Sequence, residues 1–128
     1  MLPKVAKGQC LEEAIRYHQA GRLAEAEALF RKILSAQPGN CIALHALGVL
    51  LQEKGLLTDA ILYVEEALSI QPDNPVYYHS LGRLFIARHD YRRAIDVLQT
   101  SLYIQPLRLD VMRDLAKAHK LKFKCLNY

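Results

Sequence analysis

Three prolines stand 34 residues apart along the chain, and each of them follows a glutamine. The three pairs are Gln37-Pro38, Gln71-Pro72 and Gln105-Pro106. When the chain is aligned on these pairs, residues 7–40, 41–74 and 75–108 form three units, and residues 109–128 begin a fourth. A period of about 20–50 residues indicates a repeat array, because each unit buries its apolar face only by stacking on its neighbours.

The apolar spacing inside the units indicates two α-helices in each. A first stripe has the spacing i, i+3, i+4 and i+7 that marks one face of a helix. Its members in the second and third units are Leu44, Leu47, Gly48 and Leu51, and Tyr78, Leu81, Gly82 and Phe85. A second stripe follows the first in both units. We expect the chain to reverse between the two stripes at Gly21 and Gly55, where a positive φ is cheapest, and at His89 in the third unit.

Small residues recur at fixed places in these stripes. Ala26, Ala60 and Ala94 occupy one column of the alignment, and Gly48 and Gly82 occupy another. Glycine inside a helix costs about 1 kcal/mol relative to alanine, so its presence predicts a close approach between two helices at that point. We expect the alanine column to face the glycine column across each helix pair.

These residues resemble the tetratricopeptide repeat family, whose repeats carry small and aromatic residues in the first helix, then two alanines around a large apolar residue, and a final proline. The matching residues in the second unit are Leu44, Leu47, Gly48, Ala60, Ala67 and Pro72, and in the third they are Tyr78, Leu81, Gly82, Phe85, Ala94 and Pro106. The resemblance implies an all-α fold, a right-handed α-α superhelix (solenoid) of three helix-turn-helix repeats with a C-terminal capping helix at residues 109–122. It implies a single domain over residues 1–128.

The resemblance also implies a function as a protein–protein interaction module. In the family the first helices of successive repeats line a concave groove that binds a peptide or helix of another protein. The positions of this sequence that match the groove, and that we expect to bind the partner, are Ile42, His45, Val49, Val76, His79, Arg83, Arg113, Lys117 and Lys120. One subclass holds the terminal carboxylate of chaperone tails with lysine, asparagine and arginine at set positions. Leu11, Ile15, Ala46, Val76 and Ser80 occupy those positions here, so that mode of binding is not expected.

The last helix is expected to have two faces. Arg113, Lys117 and Lys120 are spaced i, i+4 and i+7, which places them on one face. Residues 108–128 hold six basic and two acidic side chains of a chain whose net charge is +4, so an acidic partner would suit this end. We expect the apolar residues of the same helix to form the opposite face and to cover the third unit. Those residues are Leu109, Met112, Leu115, Ala116 and Phe123.

Other classes of function find little support. His45 and His79 are one repeat apart, but no further ligand completes a zinc site, and we expect no metal, cofactor or catalytic residue. Nucleic acid is not expected as a partner because no basic run is interleaved with aromatics. A membrane is not expected either, because no apolar run approaches about 20 residues. A cytoplasmic location is expected, with Cys10, Cys41 and Cys125 as free thiols.

Two alternatives stay open. The segments HQAGRLAEAEALFRKIL and ALHALGVLLQEKG resemble repeat arrays attached to larger bacterial-type enzymes, so the chain is also consistent with the N-terminal array of an enzyme such as a transferase. The charge balance runs from −2 through residue 74 to +4 over residues 108–128. Weak head-to-tail self-association as a scaffold is the second alternative, since an acidic end and a basic end attract each other.

Overall fold

The residues that the computed structural model describes, 7–126, fold into seven α-helices with no strand among them. The helices are α1 (Lys7–Gln19), α2 (Leu23–Ala36), α3 (Cys41–Glu53), α4 (Leu57–Ile70), α5 (Pro75–Ala87), α6 (Tyr91–Ile104) and α7 (Leu109–Leu126). The chain divides into two compact units, Met1–Ile70 with α1 to α4 and Gln71–Tyr128 with α5 to α7. The expected all-α fold with two helices per repeat is confirmed, and α7 extends four residues beyond the predicted end at residue 122.

The turn between the two helices of each repeat contains a residue with a positive φ. This angle is 79° at Gly21 and 80° at Gly55. His89 has the equivalent place in the third repeat and adopts a φ of 65°, as the alignment predicts. This backbone conformation favours glycine. A hydrogen bond of 2.8 Å joins Nδ1 of His89 to the hydroxyl of Tyr91 and helps to hold the histidine side chain at this turn.

The repeated glutamine has a structural role at the end of each second helix. The side-chain oxygen of Gln37 accepts a hydrogen bond of 3.0 Å from the amide of Asn40, and that of Gln71 accepts one of 3.1 Å from Asn74. Each asparagine in turn caps the following first helix, with its Oδ1 accepting from a backbone N–H. In the third repeat the guanidinium of Arg108 donates to Gln105 instead, at 3.1 Å. The Gln-Pro pair thus ends one helix and positions the start of the next.

Unit 1 is a stack of helices with an apolar interior. α1 packs on α2, α3 packs on α4, and α2 packs on α3. Ala26, Ala60 and Gly48 are buried, as the small-residue columns predict. A Cβ placed on Gly48 would lie 2.7 Å from Cγ2 of Val64, so α3 and α4 approach too closely for any larger residue without a shift. The large side chains that fill this interior include Phe30, Leu44, Leu47, Leu50, Leu51 and Val64.

Unit 2 repeats this packing with one change. α5 packs on α6, and both contact α7. A Cβ on Gly82 would lie 2.5 Å from Cγ and from Cδ2 of Leu98. Ser101 replaces the second alanine of the repeat and is buried, where its hydroxyl donates to the carbonyl of Pro75 at 2.8 Å. The hydroxyl is therefore satisfied, as a buried polar group requires.

The predicted core face of α7 is wrong. Val111 and Ala118 are fully buried and Leu115 is half-buried, whereas Leu109 and Phe123 are 74% and 69% exposed. Met112 and Ala116 are exposed as well. In α3 and α5 the column of Ala116 is occupied by glycine and faces the second helix of the same repeat. No such helix follows α7 within residues 7–126, so α7 contacts α5 and α6, buries Val111 and Ala118, and leaves Met112 and Ala116 in solvent.

Candidate functional site

α3 presents the three partner-binding residues predicted for unit 1. Asn40 caps the helix by accepting from the N–H of Ala43, and the stripe that contains Leu44 faces the interior. Ile42, His45 and Val49, at i, i+3 and i+7, are left on the other side of the helix. Ile42 is 55% exposed, and His45 and Val49 are half-buried. Burial lowers the pKa of His45 below its usual value, which favours the neutral imidazole on this face.

A histidine–carboxylate pair joins the two first helices of unit 1. Nε2 of His18 on α1 lies 2.9 Å from Oε2 of Glu53 on α3. The carboxylate is about half exposed, so the pair lies at the rim of the α3 face. Glu53 follows His18 by 35 residues, which is one repeat and one residue.

The same separation recurs in unit 2. Nε2 of His79 on α5 lies 2.6 Å from Oδ2 of Asp114 on α7, and its Nδ1 lies 3.8 Å from Oδ2 of Asp110. The His79 side chain is only 12% exposed. Arg108 donates two hydrogen bonds to Asp110 and lowers the pKa of that carboxyl to about 2. The carboxylate partners of His18 and His79 were not predicted from the sequence.

The other predicted residues of unit 2 lie at the surface. Val76 is 41% exposed, and Arg83 on the same helix is exposed one turn beyond His79. Arg113, Lys117 and Lys120 are exposed on α7 and form no ion pair with any residue between 7 and 126. Arg108 neutralises the charge of Asp110. The net charge of the part of α7 that follows Asp110 is therefore positive. Their role in binding stays a prediction.

A cleft on unit 1 was not found by sequence reasoning. It has a volume of about 430 Å³ and is lined mainly by side chains of α2 and α4. Nη1 of Arg31 donates to the hydroxyl of Tyr63 at 2.9 Å, with the guanidinium 5.8 Å from the ring centre. Arg31 and Lys54 both pair with Glu27, and their hydrogen bonds lower the pKa of Glu27. The i, i+4 pair of Glu27 and Arg31 was visible in the sequence, but the tyrosine on the next second helix was not a recognisable partner.

The described part of the chain contains neither a candidate metal site nor a membrane-spanning helix. Within residues 7–126 no group of three or more His, Cys, Asp and Glu side chains is arranged to hold a metal ion. Cys10, Cys41 and Cys125 are free thiols, and only Cys41 is buried. None of the described helices is long and apolar enough to cross a membrane.

Two family models match the chain, and both are described as tetratricopeptide repeat. One matches residues 17–84 and the other residues 78–110. The chain belongs to the tetratricopeptide-repeat family. The matched ranges include all the small-residue columns from Ala26 to Ala94, so the family assignment and the packing derived above depend on the same residues.

Solved structures of other tetratricopeptide-repeat domains superpose on the chain. The domain of Sgt2 from Aspergillus fumigatus has a TM-score of 0.90 at 17% identity, covering 98% of this chain and 85% of that one. The first such domain of Spaghetti (RPAP3), solved with the HSP90 peptide SRMEEVD, has a TM-score of 0.85 at 17% identity, covering 89% of this chain and 90% of that one. At this identity the similarity concerns the fold alone.

A third structure is an O-GlcNAc transferase mutant from Thermobaculum terrenum, with a TM-score of 0.84 at 26% identity. The match covers 92% of this tetratricopeptide-repeat chain but only 23% of the transferase chain, so the chain spans less than a quarter of that relative. No curated protein sequence is significantly similar to the chain.

Proposed function

We propose that this chain is a protein–protein interaction module that binds a peptide or a helix of another protein on the exposed faces of its first helices. The observation that carries the proposal is the repeated exposure of apolar side chains at equivalent places on those helices. Ile42 and Val76 are 34 residues apart, each is the second residue of its helix, and they are 55% and 41% exposed. Apolar side chains in such positions supply anchors for a partner.

The exposed basic residues of unit 2 suggest which side chains of the partner accompany its apolar anchor. Arg83, Arg113, Lys117 and Lys120 are exposed, so a segment that combines acidic residues with an apolar side chain would complement them. The peptide in the Spaghetti complex, SRMEEVD, has this character. Recognition of a terminal carboxylate is not part of the proposal, because Leu11, Ile15, Ala46, Val76 and Ser80 replace the polar residues of the known clamp. The proposal gives the chain no catalytic role and keeps the cytoplasm as its expected location.

The experiment begins with selection of peptides from a displayed library on the full chain. Acidic and apolar residues should be enriched together in the selected peptides. Binding of one selected peptide is then measured by surface-immobilised kinetics at two salt concentrations. Reversal of charge at Arg113 and Lys117 should slow association and reduce its salt dependence, because exposed charges act mainly on the encounter. Val49→Asp should instead speed dissociation, since it places an unpaired charge against the apolar contact.

The matched control for the charge reversal is Arg92→Glu with Arg93→Glu. These two residues are also exposed arginines, but they lie on α6, a second helix. The control should leave peptide binding unchanged. If it abolishes binding while the changes at Val49, Arg113 and Lys117 do not, the partner uses the second helices and the proposal is refuted.

A second candidate function is favoured by the match to the bacterial O-GlcNAc transferase. In this version the chain is the repeat region of a larger enzyme and presents proteins to a catalytic domain. An antibody against the chain distinguishes the two, because it would detect a polypeptide several times larger than 14.6 kDa in the native host. A polypeptide of about 14.6 kDa would refute this version.

A further inference from the structure

The outer face of α7 is a stripe of exposed apolar side chains. Met112, Ala116, Phe123 and Leu126 lie along one side of the helix, at i, i+4, i+11 and i+14, and the exposed His119 lies between them at i+7. Met112 is 41% exposed, Phe123 69% and Leu126 72%. Single exposed apolar residues are ordinary on a protein surface, but several of them on one side of a helix indicate an interaction surface.

The repeat columns show what kind of element covers such a stripe. Ala116 is in the column of Gly48 and Gly82. In unit 1 a helix lies over Gly48 and places Val64 against it, and in unit 2 a helix lies over Gly82 and places Leu98 against it. The small residue is therefore the point where a branched apolar side chain of a second helix rests. α7 offers this same shape, but no helix among residues 7–126 covers it.

Basic residues flank the stripe on one side. Arg113, Lys117 and Lys124 are each one position after a residue of the stripe, Lys120 follows His119, and all four are exposed. They form no ion pair with residues 7–126, so their charge is available to an incoming helix. A second α7 is a poor occupant, because in an antiparallel pair the same flanks meet and two basic rows would repel each other. The occupant needs carboxylates along one edge.

The outer face of α4 has the complementary features. Leu62 is 59% exposed in the middle of the helix, although α4 buries Ala60 and Val64 on its inner side. Asp59 lies one turn before Leu62 and Glu66 one turn after it, and both are exposed. Neither carboxylate forms an ion pair within the described part of the chain. A branched apolar side chain between acidic residues is what the stripe and the basic row of α7 require.

We propose that α4 of a second copy of this chain docks on the outer face of α7. Leu62 of one copy rests on Ala116 of the other, and Asp59 and Glu66 lie beside Arg113, Lys117 and Lys120. The contact is heterologous, because it joins two different surfaces. It uses the outer sides of α4 and α7. It shares Arg113, Lys117 and Lys120 with the peptide contacts proposed above but does not involve Ile42, Val49 or Val76.

Sedimentation velocity of the full chain over a wide concentration range tests this docking. The average mass should rise with protein concentration and should rise less at high salt, because the charge pairs are exposed and screened. Leu62→Asp and Ala116→Asp should each weaken association by about tenfold or more, as expected for a residue at the centre of a contact. Circular dichroism checks that the exposed substitutions leave the helices intact, and Phe123→Ser serves as a second variant of α7 if Ala116→Asp does not fold.

The matched control is Ile42→Asp. Ile42 is 55% exposed and Leu62 is 59% exposed, but Ile42 lies on α3, on the surface proposed to bind the peptide. This variant should associate like the unchanged chain while losing affinity for a selected peptide, and Leu62→Asp should do the reverse. Failure of self-association is thereby distinguished from failure of the proposed peptide binding.

A mixing experiment identifies the two surfaces. Leu62→Asp retains an intact α7 face and Ala116→Asp retains an intact α4 face, so each variant alone should stay monomeric while their mixture forms a one-to-one complex. The proposal is overturned if the unchanged chain is monomeric at every concentration. It is also overturned if Leu62→Asp associates as strongly as the unchanged chain, or if the mixture contains no complex.

Discussion

Gly48 and Gly82 allow a direct test of whether packing or helix propensity decides stability in this fold. Substitution by alanine gains about 1 kcal/mol from propensity in the interior of a helix. The added Cβ, however, would lie 2.7 Å from Cγ2 of Val64 in the first case and 2.5 Å from Cγ of Leu98 in the second. Ordinary contacts between carbon atoms are about 3.5–4.0 Å long, so each pair of helices must separate or a side chain must move.

Neither obstructing atom is the flexible end of a long side chain. Cγ2 of Val64 is fixed by a χ1 angle that has one strongly preferred value in a helix. The new Cβ would also lie 3.2 Å from the carbonyl oxygen of Ala60, which belongs to the backbone. Overpacking of this kind costs about 1–3 kcal/mol. After the propensity gain is subtracted, Gly48→Ala and Gly82→Ala should each destabilise the protein by about 1 kcal/mol, which lowers Tm by about 4 °C.

Urea and thermal unfolding, followed by far-UV circular dichroism, measure this effect. Ala116→Gly is the matched control, because it changes the same column in α7, where no helix lies above it. It should cost about 1 kcal/mol through propensity alone. In addition, Val64→Ala should cost less in the Gly48→Ala background than in the unchanged chain, since it removes the obstructing atom. Stabilisation by Gly48→Ala and Gly82→Ala of about 1 kcal/mol would refute the reasoning, because propensity would then act unopposed.

Two further predictions concern backbone strain and charge. Leu107 has a φ of 71° and is 82% exposed, so Leu107→Gly should raise the free energy of unfolding by about 1 kcal/mol, while Leu109→Gly in α7 should lower it; urea unfolding of both variants checks this. Asp110 should titrate in an NMR experiment with a pKa near 2, and Arg108→Gln should return it towards 3.8. Because the folded pKa is lowered, the stabilisation from this pair is complete above about pH 4 and is lost as the pH falls from there through about 2. A midpoint that does not change in Arg108→Gln would contradict the assigned cause.

The repeat period allowed most of the helical architecture to be predicted. The Gln-Pro pairs located the end of each second helix, and the positions of Gly21 and Gly55 located the turns, including the one at His89. These features are local, because each depends on the conformation of a few neighbouring residues and recurs in every unit. The glutamine itself was not explained by the sequence, since its hydrogen bond to the residue three positions later is formed by asparagine in two turns and by arginine in the third.

The candidate site was harder to predict, because it depends on contacts between helices. His79 looked like an isolated groove residue until the structure placed Asp114 2.6 Å from it. The useful signal was a separation of 35 residues, which also joins His18 to Glu53. A periodic alignment compares residues that are 34 apart and therefore does not compare these partners.

The error on α7 has a different cause. Periodicity identified the stripe residues Met112, Ala116 and Phe123 correctly as helical, and the column of Ala116 is buried in α3 and α5, where Gly48 and Gly82 occupy it. Whether such a stripe is buried depends on the presence of a second helix, and that information lies outside the stripe itself. α7 therefore contacts α5 and α6, buries Val111 and Ala118, and leaves Ala116 in solvent, whereas a second helix covers the equivalent Gly48 and Gly82. The docking proposed above uses this relation, because it places a helix of a second copy where α4 and α6 lie over Gly48 and Gly82.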